Sequence, residues 1–466
     1  MVCESPSGPQ GERTRQAGGR DDHVRAEATA AEGGGSRPAV ARAASPAPVL
    51  LPRADYVQTL AAVRSLHRAG VPVTVAAARW IEPARWSRFA ARTLRCPSVE
   101  IQPERFLEWL LDLGAREPGQ VLIATCDETA WLYARYRSEL SRHFRLYLPE
   151  VEPVYALLNK WRLKEACASV GLETPATLLP EGEADLEAMG RAVGYPLLVK
   201  PQTQIFLWPH HKGSVVGGPG ELAPLYRDLR SASRHAPILA AQDPRVSLPM
   251  LQAYVQAISG VVDATGFVDE TGELFVAVGA RKILQKPRKL GIGLCFEEAE
   301  VAPGMAEKLA ALCRKVGYHG VFDAEFIESD GRQLLIDFNP RLYGQLAFDV
   351  GRGLDLARLA YLGAVGDRAG LEASFAEAHR AAGRRQGRVY CNRIQLEIYL
   401  VLLRLTGSIG RPEARRWRHW VAEHRSLLTD AVLDPEDRKP GAAEAAASIW
   451  GNLRHLRSAL RFARQG

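Results

Sequence analysis

Gly320-Val321-Phe322-Asp323-Ala324-Glu325-Phe326-Ile327, then Asp330-Gly331, then Leu334-Leu335-Ile336-Asp337-Phe338-Asn339-Pro340-Arg341 is the stretch that decides the fold. Apolar and polar residues alternate on both sides of a turn, which is the period of two strands that each bury one face. On the first strand Phe322, Ala324 and Phe326 form the apolar face and leave Asp323 and Glu325 opposite. On the second, Leu334, Ile336 and Phe338 are apolar and leave Asp337 and Asn339 opposite. Register decides whether these oxygens meet. A two-residue turn at Asp330-Gly331 pairs Glu325 with Ile336 and sends the carboxylates to opposite faces. A three-residue loop, Asp330 to Arg332, pairs Glu325 with Asp337 and Asp323 with Asn339. The second register is the expectation, because close carboxylates on a half-buried sheet repel unless a cation lies between them. Hard oxygen ligands select Mg²⁺ or Mn²⁺, shared with substrate phosphates, so Glu325, Asp337 and Asn339 are the candidate metal ligands.

Lysine usage points to the same region. Only ten of the 60 basic residues are Lys; nine of those ten lie between Lys160 and Lys315, and the first 159 residues contain none. A compact ammonium on a flexible stem suits point-charge contact with phosphate. Arg341, at the end of the hairpin, and Arg281 are the candidate catalytic groups, fixed guanidiniums that would meet charge developing on a transferring phosphoryl group. Asp263 is a candidate contact to ribose or metal, or a plain strand-face Asp.

Upstream, Pro48-Val49-Leu50-Leu51 reads as a first strand, followed by a helix through Leu66 and a second strand from Val71 to Ala76. Val121 to Thr125 leads into Cys126-Asp127-Glu128 and another helix. This alternation predicts a small parallel α/β sheet over 48–152. No G-x-G-x-x-G follows the first strand, which argues against a dinucleotide site. Residues 1–47, rich in Gly, Ala, Ser and Pro, read as a disordered tail. From 153 to 365 the texture is α+β in two lobes, and 366–466 reads as a helical, basic extension.

These residues resemble the ATP-grasp superfamily. The acid-x-Asn-Pro-Arg ending of the hairpin, with a Glu twelve residues upstream, is similar to its metal hairpin. Asn159-Lys160 and Tyr195-Pro196-Leu197-Leu198-Val199-Lys200-Pro201 resemble the segments that bring its two nucleotide lysines. Leu251-Gln252-Ala253-Tyr254-Val255 resembles the hinge that holds adenine. The resemblance spans about residues 48–365 and, in layout, is similar to carboxylate–amine ligases such as D-aspartate ligase. It implies ATP as the nucleotide, with Lys160, Lys200, Gln252, Tyr254 and Val255 binding it, and small carboxylate and amine substrates. Gln252 and Ala253 depart from the usual hinge Glu. A Gln still accepts from the adenine amino group, but without charge. A carboxylase and a silent nucleotide-binding module are the alternative readings.

Seven scattered cysteines without a Cys-x-x-Cys pair argue against a zinc site or a disulfide frame and fit a reducing cytoplasm. No nucleic-acid partner is expected. Arg411, Arg415, Arg416, Arg418 and Arg425 with Trp417 and Trp420, and a last helix carrying Ile449, Trp450, Leu453, Leu456, Leu460 and Phe462, form amphipathic basic helices. Packing of their apolar stripes on the enzyme core is favoured over contact with an anionic membrane surface. The sequence does not specify an oligomeric state. Deletion of residues 1–44 is expected to leave both the melting temperature and turnover unchanged; a large loss of stability would mean that this segment docks.

Overall fold

The computed structural model describes residues 45–454 except His211, Ser233, Lys289 and Leu290. The expectation of a disordered tail therefore falls, but for its last three residues, outside the described residues. The same holds for Leu456, Leu460 and Phe462.

The first sheet consists of β1 (Val49–Leu51), β2 (Val73–Ala77), β3 (Arg92–Arg95), β4 (Val121–Leu122) and β5 (Arg145–Leu146). All its pairings are parallel and its order is β3-β2-β1-β4-β5. Every residue of β1 and β2 is buried, as strands covered by helices on both faces require. The strand order reverses between β1 and β4, the place where such sheets open a crevice.

A second sheet holds β6 (Thr177–Leu178), β7 (Leu197–Lys200), β9 (Ser214–Val216) and β11 (Met250–Ala253), in the order β6-β11-β7-β9. A short ribbon of β8 (Leu207–Trp208) and β10 (Arg234–His235) accompanies it. Leu197, Val199, Val216 and Leu251 pack with Leu222, Tyr226 and Leu229 of the helix Pro219–Ala232, giving this layer a small core of its own.

The third sheet has seven strands: β12 (Gly260–Val268), β13 (Phe275–Lys286), β14 (Ile292–Ala299), β15 (Gly320–Ser329), β16 (Arg332–Asn339), β17 (Val389–Cys391) and β18 (Leu428–Asp430). Its order is β16-β15-β12-β13-β14-β17-β18. The architecture is thus mixed α/β, with a parallel sheet followed by two largely antiparallel ones, as the sequence led us to expect.

The β15–β16 hairpin has the expected pairs by an unexpected route. Asp323 lies opposite Asn339 and Glu325 opposite Asp337. The loop is nonetheless the two-residue one: Ser329 pairs with Arg332, and Asp330 (φ 51°) and Gly331 (φ 73°) form the turn. Two positive φ values match the twist of the flanking strands. The pairing then shifts between Glu325 and Phe326, because Phe326 faces Leu335 while Glu325 faces Asp337, leaving Ile336 as an extra residue in a β-bulge. The apolar face of β16 is accordingly Leu335 and Phe338, both buried in the core, rather than a regular Leu334, Ile336, Phe338 series.

After residue 365 the chain is mostly helical, yet β17 and β18 join the large sheet. The helix Arg393–Leu405 buries Leu396, Tyr399, Leu400 and Leu403 against Leu284, Leu294 and Cys295, with Trp417 and Trp420 packed alongside. In the last helix, Lys439–Arg454, Ile449, Trp450 and Leu453 are exposed, so the expected packing holds for the tryptophans of the preceding helix and not here. No helix among the described residues is long and apolar enough to cross a membrane.

A buried ion pair ties this region to the first sheet. Asp437 accepts from Arg64 Nε at 3.0 Å, Ser87 Oγ at 2.7 Å and the Arg88 backbone N–H at 2.9 Å. Removing one partner strands a buried charge, which costs about 3–5 kcal/mol. Asp437→Ala is expected to lower unfolding stability by about 3 kcal/mol in urea titration, with nucleotide binding retained.

Candidate active site

The helix Lys160–Ser169 starts at Asn159, whose side-chain oxygen accepts from the backbone N–H groups of Trp161 (3.0 Å) and Arg162 (3.2 Å). This cap separates the helix from the preceding one, Val151–Leu158, and sets Lys160 at its first turn. There its ammonium pairs with Asp337. Lys282, almost wholly buried on β13, donates to Glu325 at 2.6 Å and lies 3.6 Å from Asp263. Each carboxylate of the pair thus holds a lysine.

Arg341 closes the row. It donates to Asn339 Oδ1 at 2.8 Å and to Asp127 Oδ1 at 2.7 Å. Asn339 in turn donates to Asp323 at 3.0 Å. Asp127 begins the helix after β4, so the hairpin is joined to the crevice of the first sheet. Burial pushes Asp323 up to about 7. Burial also acts to raise Asp337, but Lys160 and Lys200 outweigh it and hold this carboxyl below the usual range. The carboxylates of Asp127 and Asp323 outweigh the opposite effect of burial on the Arg341 guanidinium and hold it charged.

From the second sheet, Lys200 ends β7 and donates to Gln252 Oε1 at 2.8 Å. Gln252 Nε2 donates to Thr177 at 2.9 Å. Gly213 (φ 121°) passes so close that an added Cβ would stand 2.7 Å from Lys200 Cβ, which restricts this position to glycine. Burial, then the like charge of Lys160, lowers Lys200 to about 7. A neutral amide partner leaves that shift uncorrected.

Two expectations change and a third narrows. Gln252 is occupied by Lys200 and Thr177, so its amide orients a lysine rather than standing free for adenine. Asp263 is buried on the carboxylate face of β12 and accepts from Gln345 Nε2 at 2.9 Å, which fits its reading as a strand-face Asp. Arg281 does not join the site: it lies opposite Val262 on the other face and pairs with Glu328 at 2.6 Å. Its neighbour Lys282 has the parity that reaches Glu325. The pairing of β13 with β12, and no local pattern, sets that parity, and nothing local marked Gln345. Tyr254 follows β11, its N–H donating to Pro196 O at 3.3 Å, and Val255 comes next. Among the described residues no three His, Cys, Asp or Glu side chains cluster closely enough to hold a metal by themselves.

No protein-family model matches the chain. Over 189 residues, 39% of its length, it is 26% identical to a D-alanine–D-alanine ligase of Stutzerimonas stutzeri, and the match spans 54% of that ligase, about half. Biotin carboxylase of Campylobacter jejuni, in its β,γ-ATP complex, superposes with a TM-score of 0.54 at 14% identity, covering 68% of this chain and 71% of that one. N5-carboxyaminoimidazole synthetase of Staphylococcus aureus gives 0.51 at 12% identity, covering 68% and 77%. The chain has the ATP-grasp fold. In ATP-grasp terms, β7 and β11 form one jaw and the seven-stranded sheet the other. The likeness does not single out the D-aspartate ligase branch.

If Lys200 meets a nucleotide phosphate, it offers a charge only when protonated, and nucleotide affinity is then expected to fall as pH rises through about 7 toward 9. In Gln252→Glu a carboxylate beside Lys200 raises its pKa, and the fall should move to higher pH. Titration with a fluorescent ATP analogue at several pH values reads both.

Proposed function

We propose that the chain is an ATP-dependent ligase that activates a carboxylate as its acyl phosphate and joins it to an amine, releasing ADP and phosphate. The supporting observation is the cross-strand pair Glu325–Asp337, beside Asn339 and faced by Lys160, Lys282 and Arg341. Two carboxylates and an amide oxygen in adjacent register positions fit Mg²⁺ or Mn²⁺, which are commonly bound through one or two carboxylates plus substrate phosphates. Glu325, Asp337 and Asn339 would hold the ion, which when bound neutralises phosphate charge. Its arrival would release Lys160 and Lys282 from their carboxylates.

In this reading Lys160, from its capped helix, and Lys200, from the end of β7, grip the phosphates of ATP, while the backbone at Tyr254 and Val255 borders the adenine. A substrate carboxylate oxygen attacks the γ-phosphorus, the bond to the β-bridging oxygen breaks, and ADP leaves. Charge spreads over the transferring oxygens, where Arg341, held by Asp127 and Asn339, meets it. The amine nitrogen then attacks the acyl carbon, phosphate departs and the nitrogen loses a proton. Gln252 and Asp263 act as positioning residues for Lys200 and Lys282, and no role falls to Arg281. The likeness to carboxylases supports a second reading, in which the carboxylate is bicarbonate.

Glu325→Ala and Asp337→Ala are each expected to bring metal-dependent ADP release to background with the fold retained, as far-UV circular dichroism reads. Hydroxylamine should trap the acyl phosphate as a hydroxamate when the right carboxylate is supplied. Labelled bicarbonate entering the product would select carboxylation. Release of AMP and pyrophosphate, or full turnover in either variant, would overturn the ligase reading.

A further inference from the structure

At the carboxyl ends of β1, β2 and β3 lies a cavity of about 620 Å³ that the nucleotide site does not use. Its charged lining is Arg53, Arg79 and Arg95 against Asp55, Glu82 and Glu100, three of each sign. Pro52, Cys96, Val99 and Phe106 supply an apolar wall. Arg53 is the central group. It is mostly buried, lies over the Tyr56 ring at 3.9 Å, and meets Asp55 at 3.0 Å and Glu100 at 2.5 Å. Its backbone is left-handed (φ 56°), a conformation that costs a non-glycine residue about 1 kcal/mol or more and concentrates at functional sites. Arg79, from an exposed position, pairs with Glu82 at 3.3 Å and with Asp55 at 3.5 Å.

We propose that this cavity binds the amine substrate of the ligation, and that this substrate is a zwitterion bearing a carboxylate as well as its ammonium. A balanced set of charges suits a ligand of the same kind: Asp55 and Glu100 receive the ammonium, and Arg53 and Arg79 the carboxylate. Nucleotides and phosphate esters would meet three carboxylates there. The cavity lies at the same end of the parallel sheet as Asp127. Glu128, which faces Arg53 and Glu100, is the neighbour of Asp127, the partner of Arg341. Arg53 and Arg341 therefore act on adjacent residues at the start of one helix.

The substrate assignment rests on the proposed ligase reaction, but binding can be read without turnover. The probes are the twenty common amino acids in both hands and β-alanine, with ethylamine and propionate as single-charge controls. Calorimetry on the full chain, with and without a non-hydrolysable ATP analogue, should find at least one zwitterion that binds about tenfold or more tightly than either control. Arg79→Ala and Glu100→Gln, both near the surface, should each weaken it about tenfold or more, the loss of one charge-assisted contact. Absence of binding by every probe, or binding unchanged in both variants, overturns the proposal. A zwitterion that binds without ADP release in any combination would discard the ligase reading and keep the cavity. ADP release driven equally well by ethylamine and untouched by these variants would do the reverse.

Discussion

The cross-strand pair of Glu325 and Asp337 is the constraint around which the rest of the structure is arranged. Two carboxylates side by side on a sheet face repel, and the repulsion grows as water is excluded. The molecule answers it from three directions. Lys282 rises from β13 beneath the pair, Lys160 reaches in from a capped helix, and Arg341 holds Asn339 at the end of the row. Each cation belongs to a different element, so the site exists only when those elements are packed together.

The pair itself depends on one extra residue. Asp330 and Gly331 both take positive φ and impose a two-residue turn, in which strict pairing would set Glu325 against Ile336. The bulge at Ile336 shifts β16 by one place and brings Asp337 and Asn339 to the face of Glu325 and Asp323. A bulge commonly re-aims side chains beside an active site. Here it reconciles the turn that the backbone prefers with the register that the charges require.

A local pattern was legible wherever one element determined it. The alternation in β15 and the parallel βα units of the first sheet read correctly, and Lys160, Lys200 and Lys282 of the lysine-rich segment do gather about the hairpin carboxylates. Legibility failed where a partner strand decided. Arg281 and Lys282 are adjacent and equally basic, and only the pairing of β13 with β12 shows which one faces Glu325. Gln252 reads as a weakened hinge residue until Lys200 is seen bonded to it. β17 and β18, three residues each, are too short to show a period and become strands only by pairing with each other and with β14.

By itself the sequence determined the inventory: two strands ending in acid-x-Asn-Pro-Arg, nine of ten lysines gathered in one stretch, and a first domain without a dinucleotide loop. Periodicity and turn chemistry act over a few residues, and such information survives in a linear chain. Tertiary structure alone decided which carboxylate met which lysine, that Arg281 turned away, that Asp263 was buried beside Gln345, and that Asp127 reached Arg341 across 214 positions. Those outcomes depend on strand order, on a bulge, and on contacts between segments far apart in the chain. Their energies are set by burial and by distance, which no local pattern of residues records.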